Sequence, residues 1–284
     1  MKADEGQRIA KTAPAFSLDN DKKYRLYANM NNARPAIRTE GHARNYPAGT
    51  HIDAHRHRSH QIVHAAEGVM RVACAQGVWV VPPGRALWMP AGLTHAIDCI
   101  GNVAMRTVYL GGDHHSFPGT CAVWRLSPFL RELILRLAAN PEPSLAESAL
   151  QLLLHEIETI EAMPLHVPEP ADARLRRITA HLLAPDNIDA PLTDLARIAG
   201  MSPRSLIRHF QADTGMTLRQ WRRHARLLLA LEKLGAGENV SAAAYGAGYA
   251  SASAFVHAFS EIFGTTPGRY FRQPTANRAK AERA

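Results

Sequence analysis

Apolar positions change their spacing twice along the 284-residue chain. Residues 1–23 carry Lys and Asp clusters with no recurring apolar position, which predicts a flexible arm. From Ile37 to about Leu110 the chain turns to short β-rich runs such as GVWVV and NVAMRTVYL, broken by Gly and Pro. Many short strands at regular spacing predict an antiparallel barrel or sandwich over 24–126, with a hairpin turn at Ala75-Gln76-Gly77. From Ser127 the spacing lengthens to three and four. Ser127-Pro128 starts a helix, Phe129, Leu130, Leu133, Ile134 and Leu137 give its apolar face, and Asn140-Pro141 stops it. A second helix is predicted from about Ser144 to Met163, with Leu145, Ala149, Leu152, Leu153, Ile157 and Ile160 on one side. Residues 127–163 are thus a helical hairpin whose stripe either covers the barrel or pairs two subunits. The stretch MPLHVPEPAD, with three prolines and little to bury, predicts a linker over 164–172. Seven helices are expected in 173–273, and residues 274–284 form a polar tail.

Within the helical half the chain repeats itself. An offset of 49 lays Ser202 on Ser251, Leu206 on Phe255, Phe210 on Phe259, Gly215 on Gly264, Thr217 on Thr266 and Trp221 on Tyr270. In each copy a Ser caps a helix, two apolar residues four apart face inward, and a Gly ends it. A short Ala-rich helix and a tight turn precede each capped helix, which makes two helix-turn-helix units. The helix Leu218 to Leu234 lies between them as a rigid spacer.

The runs LARIAGMSPRSLIRHFQADTGMTLRQW and AYGAGYASASAFVHAFSEIFGTTPGRY resemble the paired helix-turn-helix domain of AraC-family transcriptional regulators over roughly Arg174 to Arg272. The resemblance implies that Arg204, Ile207 and Arg208 of the first recognition helix contact bases, and that Ser253, Ala254 and His257 hold the corresponding positions of the second. Arg can fork to the two acceptors of guanine, while Ile207 offers apolar contact to a thymine methyl. The family often has Arg where His257 stands, so the second unit is expected either to read bases less specifically or to anchor phosphate, with His257 as a bystander equally open.

A second resemblance lies upstream. Gly49, five residues, His55-Arg56-His57, three residues, Gln61, six residues, Gly68 follows the first cupin motif, with Gln61 in place of the usual Glu. Gly84, five residues, Pro90-Ala91-Gly92, two residues, His95 follows the second, with Cys99 in place of its closing Asn. Joined to the helical half, this resembles the cupin-type sensor domain common in the AraC family. His55 and His57 alternate, so on one strand both would leave by the same face, and with His95 they would offer three nitrogens to Zn, Ni or Fe, Gln61 being a weak fourth ligand. The other reading is an organic-effector pocket lined by the same residues. The overall expectation is an α+β multidomain chain, a cupin-like barrel with a helical hairpin followed by an all-α domain with two helix-turn-helix units.

Charge sharpens that expectation. From Ala171 onward there are 16 Lys and Arg against 9 Asp and Glu, whereas residues 1–170 hold 17 against 16, so the excess positive charge sits on the repeats and favours double-stranded DNA as partner. Cys74, Cys99 and Cys121 have no CxxC spacing, which suggests neither a disulfide framework nor a zinc knuckle and fits a reducing cytoplasm. The start MKADEGQR lacks a signal-type apolar core, and no run of about 18 apolar residues suggests a membrane span. The expected function is a homodimeric regulator answering a small molecule or metal. The alternative is a cupin oxygenase fused to a DNA-binding domain, since three His on a metal also suit catalysis, although no distinct acid or base supports turnover.

Overall fold

The computed structural model describes residues 38–112 and 117–272; the expected arm over 1–23, the first part of the barrel domain and the tail over 274–284 lie outside them. Nine strands form one antiparallel sheet: β1 (Arg38–Tyr46), β2 (His51–His55), β3 (His60–Cys74), β4 (Gly77–Val81), β5 (Arg85–Met89), β6 (His95–Gly111), β7 (Ala122–Arg125), β8 (Ala162–Met163) and β9 (His166–Pro168). The long strands β3 and β6 pair along most of their length, and each is shared between two halves of the sheet. The first half of β3 pairs with β5 and the second with β4, the change coming at a bulge between Ala65 and Val69. Gly68 takes φ +74° there, and a Cβ on it would stand 2.3 Å from the Asn102 carbonyl oxygen, so the bend requires glycine. Ile97 from one half of β6 and Met105 from the other line one cavity, so the two halves face each other across it.

Helices α1 (Pro128–Ala138) and α2 (Pro143–Ile157) cover the outer face, packing Leu130, Ile134, Leu153 and Ile157 on Ile62, Trp88, Val108 and Trp124. Ser127 caps α1 by accepting from the Leu130 amide at 3.0 Å. The second helix is shorter than its apolar pattern suggested. It ends at Ile157, and Ala162–Met163 becomes β8, paired with β7. Its buried face is Ala149, Leu150, Leu153, Leu154 and Ile157, whereas Leu145 and Leu152 are each 47% exposed. The expected stripe therefore divides between two faces.

The expectation that 164–172 has little to bury is also corrected. Leu165 and Val167 are almost fully buried, and β9 pairs with β4 through Val78↔Val167, so the connection is sewn into the sheet. Of the three prolines that suggested a linker, Pro168 closes the edge strand β9 and Pro164 and Pro170 lie on either side of it, and an edge strand tolerates a missing N–H.

The helical half comprises α3 (Ala173–Leu183), α4 (Leu192–Ala199), α5 (Pro203–Thr214), α6 (Leu218–Gly235), α7 (Val240–Gly246), α8 (Ala252–Phe263) and α9 (Pro267–Arg272). A capping box of Thr217 and Gln220 starts α6, whose 18 residues span about 27 Å. Trp221 and Phe210 meet edge to face beneath the first unit, and Phe255, Phe259, Phe263 and Tyr270 fill the second. The helices dock directly on the sheet. A Cβ on Gly235 would lie 2.5 Å from Val69 Cγ2, and one on Gly101 would lie 2.5 Å from the Gly235 carbonyl oxygen, so α6 meets the sheet glycine to glycine. Around that contact Arg71 pairs with Glu232 at 3.2 Å, Arg125 donates to the Ile262 carbonyl at 2.7 Å, and the Arg85 guanidinium lies over the rings of Phe263 and Tyr270.

Candidate functional site

Strand register brings the cupin histidines together. His55 closes β2 and stands opposite His95 at the start of β6. His57 lies beyond the end of β2, so alternation on one strand is not what aims it; the loop does so, with the Gly92 amide donating to the His57 carbonyl at 2.8 Å. Ring centroids are 4.3 Å apart for His55 and His95, 4.9 Å for His55 and His57, and 5.6 Å for His57 and His95. One ring nitrogen from each of the three lies within 4.8 Å of the others.

Tautomers follow from the surrounding carbonyls. His55 Nδ1 faces the Asp53 carbonyl at 2.7 Å and His95 Nδ1 faces the Leu93 carbonyl at 3.0 Å. A carbonyl only accepts, so both Nδ1 atoms carry the proton and both Nε2 atoms keep a lone pair. The Nε2 atoms of His57 and His95 are buried without a hydrogen-bond partner. Burial first, and then the charges of neighbouring histidines, lowers the pKa of both His57 and His95, so that each is neutral at pH 7. Gln61 is buried and donates through Nε2 to the Tyr109 hydroxyl at 3.3 Å, leaving its Oε1 unpartnered. His95 thus presents an orphaned Nε2 in the ligating tautomer, and together with His55 and the orphaned Nε2 of His57 it fits a borderline divalent metal.

His55, His57 and Gln61 open on a cavity of about 310 Å³. Strand β1 adds His42, Arg44 and Tyr46 to its wall and β6 adds Thr107 and Tyr109; among the described residues no carboxylate lines it directly, and that of Glu40 stands 2.9 Å from His42 Nε2. These residues escaped the sequence reading. Their signal is alternation, His42, Arg44 and Tyr46 being two apart on a strand, but motif spacing does not reach β1. The remaining histidines of the stretch are placed elsewhere. His51 pairs with Asp98 at 2.6 Å, His60 stacks on Trp88, and His64 is fully buried against the Arg85 carbonyl at 2.8 Å.

The helical half carries the second candidate surface. Gly200 in the left-handed conformation ends α4, Ser202 caps α5 by accepting from the Ser205 amide at 3.2 Å, and Leu206 and Phe210 point inward. Arg204, Ile207 and Arg208 are all exposed on the opposite face. Ser251 caps α8 in the same way from the Ala254 amide at 3.1 Å, leaving Ser253, Ala254 and His257 exposed. His257 Nδ1 lies 3.8 Å from Glu261, which also pairs with Arg223 of α6 at 3.1 Å. A carboxylate therefore stands beside Nδ1 of this ring, its Nε2 being the other nitrogen the side chain carries.

A family model described as an AraC-like ligand binding domain matches residues 37–154, and one described as a helix-turn-helix domain matches residues 195–273. The chain is 31% identical over 226 residues to the HTH-type transcriptional regulator NimR of Escherichia coli (strain K12), covering 78% of this chain and 82% of that protein. It is 41% identical over 93 residues to the HTH-type transcriptional regulator GlxA of Rhizobium meliloti (strain 1021), covering 30% of this chain and 28% of that one. Among solved structures it is similar to ToxT from Vibrio cholerae O395, at 10% identity and a TM-score of 0.36 over 84% of this chain and 98% of that one.

Proposed function

Since the chain belongs to the AraC family of DNA-binding transcriptional regulators and carries that family's cupin-like ligand-binding domain, we propose that His55, His57 and His95 hold a divalent metal as part of its effector site. A metal held by these three nitrogens would supply a Lewis acid for an oxygen donor of a small molecule. The protein's own groups do the rest. Gln61 and Tyr109 offer hydrogen bonds inside the cavity, and the Arg44 guanidinium at β1 favours an anionic effector, while the Glu40 carboxylate occupies His42 Nε2 at 2.9 Å.

One observation carries the coupling. The stretch of β6 that brings His95 to His55 and His57 goes on to bring Ile100 and Gly101 against Gly235, at the end of α6. A shift of β6 on effector binding therefore bears on the helix that spaces the two recognition helices. Arg204, Ile207 and Arg208 read bases in one major groove, and the second unit, with Ser253, Ala254 and His257, enters the next and contributes mainly phosphate contact. The exposed apolar residues Leu145 and Leu152 on α2 are the face on which a second copy packs to give a homodimer. The barrel acts as a sensor, in keeping with the family; sustained oxygen consumption by metal-loaded protein with a small-molecule substrate would sink that part of the reading.

The test is Arg208→Ala, assayed on a duplex selected from a random pool by the wild-type protein. Affinity for that duplex is expected to fall by about 1 to 3 kcal/mol, roughly five- to 150-fold, with random-sequence binding nearly unchanged. Equal weakening on both duplexes would make Arg208 a phosphate contact. Footprinting of the wild type should protect two patches about 34 Å apart on one face of the duplex, and a single patch would remove the second unit from the groove.

A further inference from the structure

Two cysteines far apart in sequence meet at the rim of the barrel. Cys74 ends β3 and Cys121 precedes β7, and their side chains lie close enough for each thiol to shift the ionisation of the other. Gln76 holds both: its amide donates to Cys74 Sγ at 3.3 Å, and its Oε1 accepts from the Cys121 amide at 3.5 Å. Neither residue is fully buried, so small solutes reach the pair, whereas Cys99 is buried in β6. Donors around the Cys74 sulfur, namely the Cys121 thiol and the amides of Gln76 and Gly77, stabilise its thiolate.

We propose that Cys74 and Cys121 form a reversible dithiol–disulfide site that is oxidised by hydroperoxides. The Cys74 thiolate attacks the distal peroxide oxygen, forming an S–O bond as the O–O bond breaks and the alcohol or water leaves with one thiol proton. The Cys121 sulfur then displaces the hydroxyl from Cys74 as the S–S bond forms, and water leaves with the second proton. Two thiols and one hydroperoxide give one disulfide, one alcohol or water, and one further water.

The pair also sits where a change is felt. Cys74 stands opposite His95 across β3 and β6, and His95 opposite His55 across β6 and β2, so the site is one strand from the candidate effector cluster. On its other side the Gln76 carbonyl accepts from the Glu169 amide at 3.2 Å and Gly77 pairs with Pro168. The Pro168 carbonyl in turn accepts from the Trp221 indole at 3.1 Å, at the start of α6. Drawing the two sulfurs into a bond pulls on the turn that pins the connection between barrel and DNA-binding helices, because bonded sulfurs stand closer than thiols in contact. Oxidation and DNA affinity are thereby coupled.

The experiment treats full-length reduced protein with one to two equivalents of hydrogen peroxide, then maps peptides under non-reducing conditions. A peptide linking Cys74 to Cys121 is expected in the monomer band, reversed by dithiothreitol, absent from Cys74→Ser and Cys121→Ser and retained in Cys99→Ser. Oxidised and reduced wild type should differ by at least about fivefold in affinity for a duplex selected by the reduced protein, a difference that Cys74→Ser loses. Sulfinic acid without a linked peptide, or cross-linked dimers only, would overturn the site, and that result stands on the wild type even if a serine variant fails to fold. A linked peptide with unchanged DNA affinity would overturn the coupling.

Discussion

His95→Ala is expected to lower the protein's metal affinity by at least about a hundredfold, beyond the ten- to hundredfold range of changes around a ligand's outer contacts. His95 supplies a buried Nε2 with no other partner, and its Nδ1 proton is committed to the Leu93 carbonyl. The measurement is metal content after dialysis against a weak chelator, with His60→Ala as control, since His60 packs on Trp88 outside the cluster. Occupancy in the wild type should also decline in acid, because the proton and the metal compete for the same lone pairs. Burial lowers the pKa of His57 and His95, so for these two groups the competition begins below the ordinary histidine range near 6.5. Equal metal content in wild type, His95→Ala and His60→Ala would leave the three histidines as hydrogen-bonding groups of an organic-effector pocket.

The second large effect concerns stability in acid. His64 is buried beneath β5, and burial first, with the charges of Arg131, Arg106 and Arg85 behind it, pushes its pKa from 6.5 down to about 4 against the raising effect of the Arg85 carbonyl. The unfolded chain therefore takes up this proton more readily than the folded one. The stability that the neutral side chain contributes is complete above pH 6.5 and is lost as pH falls toward 4, to a limit of about 3 kcal/mol. Urea unfolding at pH 7 and pH 5 should show wild type weakening more steeply than His64→Gln, whatever the variant costs at pH 7. Parallel slopes would show that His64 is not the group that titrates. His64 also holds the Arg85 carbonyl, and the Arg85 side chain lies over Phe263 and Tyr270, so acid should loosen the docked second unit along with the sheet.

The repeat at an offset of 49 was legible because everything that makes a helix-turn-helix unit lies within about 20 residues. A capping Ser, two inward residues four apart and a terminal Gly act through the nearest turns of backbone, and Ser202 and Ser251 each accept from the amide three residues on. The spacing of the cupin motifs worked for a similar reason, placing His55, His57 and His95 close to two turns. Periodicity failed where an element had two neighbours. The stripe on α2 looked single, but which of its leucines is buried depends on Trp88 and Trp124, which arrive from distant strands.

What the sequence by itself determined is the paired reading heads, with Arg204 and Arg208 exposed opposite Leu206 and Phe210, and the histidine set of the barrel. Only the tertiary structure decided that Arg44 and Tyr109 share a wall with His55 and His57, that Leu165 and Val167 bind the connection into the sheet, and that Cys74 comes beside Cys121. The physical reason is the range of the forces involved. Caps, turns and amphipathic faces are decided by neighbours a few residues away, whereas strand register is decided by hydrogen bonds and packing between segments whose separation along the chain leaves no local pattern.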